Sequence, residues 1–317
     1  MRVLVTGAAG FVGSWLVPAL VADGHTVFAA GQEGHPLPDD RMGAEWVGMD
    51  VGSADSVAAA VERAAPDAVC HLAGQASVGQ SFHDPLGTWD VNATGTLRMA
   101  AALPKGARLL LVSSAEAYGS VPEAEQPIAE ARPLRPCNPY AASKAAAEMA
   151  ALQAGESGGL EVVVARSFNH TGPGQDPRFA LASFARQLAL IRAGGAEPVL
   201  HVGNLSARRD LLDVRDVVHA YVRLMEAGAP GGVYNVCSGV ARSMADAVDE
   251  LVDLSGTRAR VEVDADRVRP VDVPLLLGDN ARLRGLGWEP AIPFRQTLSD
   301  LLEWQAGRLA TEAQAAA

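Results

Sequence analysis

The stretch "VLVTGAAGFVGSWLVPALVA" (residues 3–22) decides the fold, because three glycines separate an apolar run from a helix-forming run. It carries no charge and is long enough to span a bilayer, but the glycines and a proline interrupt it. We interpret it as a buried strand, a glycine turn and a helix packed on a sheet. Gly7, Gly10 and Gly13 would let the backbone approach a pyrophosphate, whose charge the helix N-terminus stabilises. The stretch therefore predicts a site for a nicotinamide dinucleotide.

Short apolar runs alternate with helix-forming stretches through the first half of the chain. This alternation is typical of a parallel sheet covered by helices on both faces. We therefore predict an α/β fold with a doubly wound sheet over residues 1–168, joined by later elements near 208–239. The predicted strands cover 2–7, 25–30, 44–50, 67–74, 107–115 and 160–169, and the predicted helices cover 11–23, 53–64, about 88–102 and a stretch from Tyr140.

The character of the chain changes after residue 169, where "HTGPGQDPRF" (170–179) is rich in turn-forming residues. We expect residues 169–317 to form mainly a smaller lobe that covers the carboxyl edge of the strands, where open α/β sheets bind their ligands. Helices are predicted near 180–193, over 207–226 and near 294–307, and a strand over 231–239.

The composition bounds the function. The chain has 317 residues, of which 49% are hydrophobic and 20% are charged, as in globular proteins. A net charge of −11 disfavours a nucleic-acid partner, and no further segment has the length of a membrane span. Cys70, Cys137 and Cys237 are odd in number and widely spaced, so they indicate neither a disulfide framework nor a metal site. They favour a reducing cytoplasmic location.

The stretch "NPYAASKAAAEMA" (138–150) sets a tyrosine and a lysine four residues apart. Pro139 suits the first helical position, and the alanines that follow favour a helix. Tyr140 and Lys144 would then share one face of the helix, where the ammonium is expected to lower the pKa of the phenol. A chance spacing on an ordinary surface helix is the alternative.

The choice between NAD and NADP usually depends on an acidic residue at the end of the second strand. Here the sequence reads "VFAAGQEGH", with Gly31 at that position and Glu33 two residues later. Asp50 ends the third predicted strand, where it could meet the adenine amino group or be an ordinary loop acid. The sequence therefore leaves both NADH and NADPH open as cofactors.

The glycine turn, "HLAG" (71–74), "VSSAEAYG" (112–119) and "YAASK" (140–144) together resemble the extended short-chain dehydrogenase/reductase family. The resemblance covers essentially the whole chain and implies a Rossmann-type dinucleotide-binding domain. It also implies that Ser114, Tyr140 and Lys144 are one catalytic unit. In it, tyrosine exchanges a proton with the substrate oxygen, serine holds that oxygen, and lysine tunes the tyrosine and binds the nicotinamide ribose.

The resemblance also implies a set of cofactor-binding residues around the turn and the strand ends. Asn92, in "DVNATGT", matches a position that supports the active-site strand, although a helix-capping or core role is the alternative. The full set is Gly7, Gly10, Phe11, Val12, Gly13, Asp50, Val51, Leu72, Ala73, Gly74, Asn92, Ser113, Tyr140, Lys144, Ser167 and Phe168.

Extended members of the family mostly act on nucleotide-diphosphate sugars. Arg209, in "ARRDLLDVRDV", and Arg269, in "RVRPVDVP", are candidate diphosphate ligands, because guanidinium groups donate to phosphate in a fork. Surface salt bridges are the alternative for either arginine alone. Asn169, in "SFNH", matches a residue that touches the diphosphate, and Ser77 and Ser114 complete the expected substrate contacts.

The second half contains "FNHTGPGQ", "VYNVCSG" and "LGWEPAIPFRQTL". Through these motifs it resembles, more narrowly, the members of the family that reduce GDP-4-keto-6-deoxy-D-mannose to GDP-D-rhamnose with NADH or NADPH. A GDP-mannose 4,6-dehydratase is the first alternative, because Glu116 stands where dehydratases keep an additional base. A nucleotide-sugar 4-epimerase and a catalytically silent cofactor-sensing protein are the others. By analogy, alanine-rich helices near 92–102 and 139–154 would form a homodimer through a four-helix bundle.

Overall fold

The computed structural model describes residues 1–32, 34, 43–267 and 273–316. The strands, numbered along the chain, are β1 (Arg2–Thr6), β2 (Thr26–Gly31), β3 (Glu45–Gly48), β4 (Ala68–His71), β5 (Arg108–Ser114), β6 (Glu161–Ser167), β7 (Asn169–Thr171), β8 (Val199–Val202), β9 (Arg208–Asp213), β10 (Val233–Val236), β11 (Ala241–Ser243), β12 (Arg260–Val263) and β13 (Leu275–Leu276). The helices are α1 (Gly13–Ala22), α2 (Ala54–Ala64), α3 (Val78–His83), α4 (Pro85–Trp89), α5 (Gly95–Ala102), α6 (Pro139–Gly158), α7 (Ala180–Arg192), α8 (Val214–Ala227), α9 (Met244–Ser255), α10 (Ala281–Arg284) and α11 (Phe294–Ala316).

A seven-stranded parallel sheet, in the order β10-β6-β5-β4-β1-β2-β3, forms the centre of the first half. Its strands are apolar on both faces, since α1 and α8 cover one face while α2, α5 and α6 cover the other. The predicted doubly wound α/β fold is thereby confirmed. The uncharged stretch 3–22 contains β1, the glycine turn and α1. None of the helices described has the length and apolar character needed to cross a bilayer.

The second half builds two smaller sheets. One contains β7, β9, β11 and β13, and the other pairs β8 with β12. Helices α7, α9 and α11 enclose a separate hydrophobic core beside them. Strand β10 instead joins the large sheet beside β6, and α8 packs on the same sheet, so late segments of the chain return to the first half.

The predicted helix over 207–226 is wrong in its first third, because residues 208–213 form β9. Leu211 packs into the core of the second half while Leu212 packs into the core under α1 and α8, so the run is buried on both faces as a strand. The helix begins after Asp213, whose carboxylate caps it by accepting a hydrogen bond from the Arg215 backbone N–H at 2.8 Å.

The helix predicted around 88–102 begins earlier and is not uniform. It starts at Pro85, is capped by Asp84 and contains a π-helical turn over Asp90–Thr94 between α4 and α5. Such wide turns occur frequently at functional sites. Here the turn carries Asn92, one of the predicted cofactor residues.

Candidate active site

The chain order of the large sheet reverses between β1 and β4, and a crevice at such a reversal is where open α/β sheets bind ligands. Because the strands are parallel, the carboxyl ends of β1, β4, β5 and β6 meet at one edge. The glycine turn, residues 72–74, Ser114 and Ser167 therefore lie along the same edge.

The glycine turn has the geometry that a close approach to phosphate requires. Gly7 has φ +65°, and a Cβ there would lie 2.9 Å from the Ala73 nitrogen. A Cβ on Gly13 would lie 2.5 Å from the Ala8 carbonyl oxygen and 2.6 Å from that of Gly7. Only glycine fits either position, and the first turn of α1 contains no acidic residue that would oppose an anion. The residues therefore fit the pyrophosphate of a dinucleotide.

A buried histidine holds the backbone that faces the glycine turn. The Thr6 hydroxyl lies 2.9 Å from His71 Nδ1 and accepts a hydrogen bond of 3.0 Å from the Ala73 backbone N–H. Burial, with a smaller effect of Lys144, lowers the pKa of His71 to about 3, so the ring is neutral. His71 belongs to the sequence motif "HLAG", but the motif alone does not predict that the His71 ring contacts Thr6.

Asn92 ties the loop after β4 to helix α6. Its amide nitrogen donates to the Gln75 carbonyl at 3.1 Å and to the Ser143 hydroxyl at 2.9 Å, and its oxygen accepts from the Gln75 N–H at 2.8 Å. Ser77, a predicted substrate residue, follows on this loop and caps α3 by accepting from the Gln80 N–H at 3.2 Å.

The structure brings Ser114 and Tyr140 together. Asn138 caps α6 by accepting a hydrogen bond from the Ala141 N–H at 2.7 Å, and Pro139 occupies the first turn, as the sequence predicts. Tyr140 is half-buried at this helix start, where burial raises the pKa of its phenol to about 12 although a hydrogen bond with Ser114 acts in the opposite direction. The phenol is therefore protonated at neutral pH.

Lys144 lies one turn further along α6 and is nearly buried, with 9% of the residue exposed. Its ammonium donates to the Val112 carbonyl of β5 at 2.6 Å, and burial lowers its pKa to about 8. The expected lowering of the Tyr140 pKa by Lys144 is not found here. Burial raises that pKa, and the charge that contributes to the shift is Glu116, which also raises it.

Glu116 lies beside Ser114 and Tyr140, two residues after the end of β5. Its carboxylate accepts a hydrogen bond of 3.3 Å from the Asn138 amide, the residue that caps α6. Glu116, the residue that would serve as the base of a dehydratase, is half-buried. Its carboxylate lies close enough to Tyr140 to raise the pKa of the phenol.

The end of β2 is closed by an aromatic ring. A Cβ on Gly31 would lie 2.8 Å from Cη2 of Trp46 on β3, so a side chain there would collide with the indole. Asp50, after β3, accepts a hydrogen bond from the Gly52 N–H at 2.9 Å, and Val51 next to it is buried. Glu33 lies outside the described residues.

Three predicted cofactor residues are buried and engaged within the protein. The Ser113 hydroxyl donates to the Glu148 carboxylate, and the Ser167 hydroxyl lies 2.6 Å from that of Tyr221. Phe168 packs in a small core with Tyr118. The Ser113 hydroxyl therefore points to the α6 side of the sheet.

The segment after β6 reaches back to the glycine turn. His170 stacks on Phe11, with 6.1 Å between ring centroids and 12° between ring planes. The Trp15 indole of α1 donates to the Pro173 carbonyl at 2.9 Å. The turn-rich segment therefore covers the position predicted for the cofactor phosphates.

Two of the predicted diphosphate residues lie on neighbouring strands. Asn169 is exposed and pairs with Leu211 of β9, two residues beyond Arg209. Arg209 is buried, and its Nη1 donates to the Val273 carbonyl at 2.6 Å. Arg269 lies outside the described residues.

Two of the three aspartates of the "RDLLDVRD" motif, Asp210 and Asp216, accept hydrogen bonds from backbone N–H groups of the second half. Asp210 accepts hydrogen bonds from the backbone N–H groups of Ser238 at 2.7 Å and Gly239 at 2.9 Å. Asp216 accepts from those of Ala291 at 3.0 Å and Ile292 at 3.1 Å. These two acids therefore fix loops of the second half.

Comparison with known proteins extends over nearly the whole chain. The GDP-6-deoxy-D-mannose reductase of Pseudomonas aeruginosa is 39% identical over 313 residues, covering 96% of this chain and 97% of that protein. A solved structure of RMD from Pseudomonas aeruginosa complexed with NADPH is 38% identical, with a TM-score of 0.84 and coverage of 97% and 99%. The UDP-glucose 4-epimerase of Thermus thermophilus in complex with NAD is 31% identical, with a TM-score of 0.85 and the same coverage.

The family described as GDP-mannose 4,6 dehydratase matches residues 4–301. This match includes the glycine turn, Ser114, Tyr140, Lys144 and both small sheets. The resemblance to extended short-chain dehydrogenase/reductases is confirmed, and the chain belongs to the GDP-mannose 4,6 dehydratase family.

Proposed function

We propose that the protein reduces the 4-keto group of a GDP-4-keto-6-deoxy-hexose, converting GDP-4-keto-6-deoxy-D-mannose to GDP-D-rhamnose with NADPH or NADH. The observation that carries the proposal is the placement of Ser114 beside Tyr140 in the crevice, with Lys144 one turn further along α6. The similarity to a GDP-6-deoxy-D-mannose reductase over 96% of the chain supports the substrate.

The proposed reaction needs one hydride and one proton. A bound nicotinamide dinucleotide would supply the hydride for the carbonyl carbon. Tyr140 is protonated at neutral pH and donates its proton to the sugar oxygen. Ser114 donates a hydrogen bond to the same oxygen and keeps it in line with the phenol.

The dinucleotide would be held along the edge described above. The glycine turn and the start of α1 would accept the pyrophosphate, and residues 72–74 would line the opposite wall. Lys144 would donate to the nicotinamide ribose and Asp50 would meet the adenine. The GDP-sugar would contact Ser77, Asn169, Arg209 and Arg269. Residues 1–168 would thus bind the dinucleotide, and residues 169–317 would supply most of the remaining contacts to the GDP-sugar.

Glu116 favours a second candidate function, the dehydration of GDP-mannose. A dehydratase needs a base beside the transient ketone, and this carboxylate lies beside Tyr140, fixed by Asn138. The reductase remains the first candidate because a GDP-6-deoxy-D-mannose reductase is 39% identical over 96% of this chain, whereas Glu116 also fits the role of an acid near the strand end that orients its neighbours.

A pair of assays tests the proposal. One contains GDP-mannose with NAD⁺ or NADP⁺, and the other contains GDP-4-keto-6-deoxy-mannose with NADH or NADPH. We expect cofactor oxidation in the second assay only, with GDP-rhamnose identified by NMR. Glu116→Gln is the matched variant and should keep this reductase turnover. Loss of water from GDP-mannose that disappears in Glu116→Gln would instead establish the dehydratase.

The same assay resolves the cofactor. Gly31 has no side chain, and Trp46 leaves no room for one, so this position lacks the carboxylate that would bind a ribose 2′-hydroxyl or repel a 2′-phosphate. We therefore expect NADPH to be used at least as well as NADH. Strict dependence on NADH would contradict this role of Gly31 and Trp46.

We also propose a homodimer formed through a four-helix bundle, in the cytoplasm. Large apolar side chains are exposed on α3, α4, α5 and α6, namely Phe82 (45%), Leu86 (83%), Trp89 (47%), Leu97 (48%) and Met149 (70%). Exposed apolar patches of this kind mark contact sites between proteins. The location is supported by Cys70, Cys137 and Cys237, which are not joined in disulfides.

Leu86→Asp with Met149→Asp should convert the dimer to a monomer, because two buried charges would oppose the contact. Light scattering coupled to size exclusion measures the mass of each form. Val263→Asp is the matched control, since Val263 is also exposed (68%) but lies on β12. A wild-type monomer, or a dimer that survives both substitutions, would remove this interface from consideration.

A further inference from the structure

A buried carboxylate lies one turn beyond Lys144 on helix α6. Glu148 is only 2% exposed and accepts three hydrogen bonds from the Arg166 guanidinium of β6, at 3.0, 2.9 and 2.8 Å. It also accepts one from the Ser113 hydroxyl of β5. The Glu148 carboxylate therefore links α6 to the adjacent strands β5 and β6, directly behind the candidate active site.

The arrangement explains why Lys144 binds a backbone carbonyl. On a helix, Lys144 and Glu148 are neighbours at i and i+4 and would ordinarily pair with each other. Here Arg166 and Ser113 hold the carboxylate, and the ammonium donates to the Val112 carbonyl instead. Glu148 still acts on Lys144 through its charge and raises the pKa that burial lowers.

The other titratable groups around Lys144 give it little negative charge. His71 of β4 has a pKa of about 3 and is neutral, and Tyr140 of α6 is a protonated phenol. Arg166 of β6 is positive and pairs with Glu148 at 2.8 Å. Glu148 is thus the carboxylate within the described residues that acts on the pKa of Lys144.

The pair is also anchored beyond α6. Arg166 Nη1 donates to the Tyr118 hydroxyl at 3.0 Å and to the Glu130 carbonyl at 2.9 Å. The Tyr118 hydroxyl in turn donates to the Asn235 side chain of β10 at 2.7 Å. Because buried partners hold the Glu148 carboxylate and the Arg166 guanidinium in place, they also fix the position of α6 relative to the sheet.

We propose that Glu148 and Arg166 are positioning residues that seat Lys144 on the Val112 carbonyl, and that Glu148 supplies the negative charge that keeps this lysine an ammonium ion. The role of Lys144 in turnover rests on the proposed function, but its protonation does not. The composition agrees with a specific need for lysine here: the sequence contains only two lysines, Lys105 and Lys144, among its 26 basic residues.

This scarcity of lysine makes the proposal directly measurable. Protein labelled with ¹³C at lysine Cε gives two NMR signals, which Lys105→Arg assigns, and the exposed Lys105 provides the reference. We expect Lys144 to titrate near pH 8 in the wild type. In Glu148→Gln, where Arg166 loses its negative partner, we expect the midpoint to fall by about one pH unit or more.

Turnover provides the second readout. If the reductase activity is found, its alkaline limit should move to lower pH with the NMR midpoint, because Lys144 loses its proton earlier. Tyr118→Phe is the matched control: it removes a hydroxyl from the same buried network without changing a charge, so it should lower stability and leave the midpoint in place. If no activity is found, the proposed function fails while the NMR titration still decides the role of Glu148.

Glu148→Gln could fail to fold with Arg166 unpaired, so a second variant is needed. Glu148→Leu with Arg166→Met replaces the pair by apolar side chains, which buried ion pairs often tolerate. It should fold and still lower the Lys144 midpoint, by less than Glu148→Gln does. A midpoint that is unchanged in either folded variant would overturn the proposal and leave the pair with a purely structural role.

Discussion

Tyr140→Phe lowers the turnover of the 4-keto sugar by about a hundredfold or more while the affinity for NADPH is retained. The expectation follows from the position of the phenol, which lies beside Ser114 at the crevice and is the protonated acid of the site. Phenylalanine keeps the ring and its packing but has no proton to donate. Turnover is followed by nicotinamide absorbance, and affinity by titration calorimetry.

Tyr234→Phe is the matched control for this experiment. Its hydroxyl is also hydrogen bonded, accepting from the Ala229 N–H at 3.0 Å, but it lies on β10 outside the proposed constellation. The control should turn over substrate like the wild type. Turnover of Tyr140→Phe within a few-fold of the wild type would refute the proposed mechanism.

Gly13→Ala should weaken cofactor binding by more than about tenfold and destabilise the fold by about 1–3 kcal/mol. The new methyl group would lie 2.5 and 2.6 Å from the backbone oxygens of Ala8 and Gly7, so either α1 or the turn must move. Either movement changes the backbone that is proposed to face the pyrophosphate. Calorimetric titration with NADPH and denaturant unfolding measure the two effects separately.

Gly307→Ala provides the comparison, because a Cβ at Gly307 meets no atom within 4 Å and the residue lies within α11. Replacing a helical glycine by alanine should stabilise the protein by roughly 0.5–1 kcal/mol with cofactor binding unchanged. If Gly13→Ala binds NADPH like Gly307→Ala, the glycine turn is not the phosphate site.

The first half of the fold follows from local sequence patterns. Its strands are nearly continuous apolar runs and its helices are separated from them by glycine or polar turns, so each element is recognisable alone. The second half is less predictable, since β7, β11 and β13 contain only two or three residues each. Strand β9 could not be predicted, because it continues directly into α8 with Asp213 as the boundary. Its residues are buried on both faces, so the sequence lacks the alternation of apolar and polar residues that would distinguish a strand from a helix.

The candidate site could likewise be predicted only in part from the sequence. Ser114, Tyr140 and Lys144 could be predicted because their spacing is part of a recognisable motif. The Thr6–His71 and Trp46–Gly31 contacts could not, because each joins separate strands and depends on their order in the sheet. Glu148 could have been noticed, since it repeats the four-residue spacing from Tyr140 to Lys144 once more.

The π-helical turn over Asp90–Thr94 sets the rotational phase between α4 and α5. An α-helix advances about 100° per residue, so a turn with one additional residue decides which side chains beyond it face inward. Deleting one residue there would rotate α5 by about 100° and carry the buried Met99 away from the core. The same rotation would turn the exposed Leu97 away from the surface that we propose to meet a second subunit. A local change in helical pitch therefore links the wall of the cofactor crevice to the outer surface of the protein.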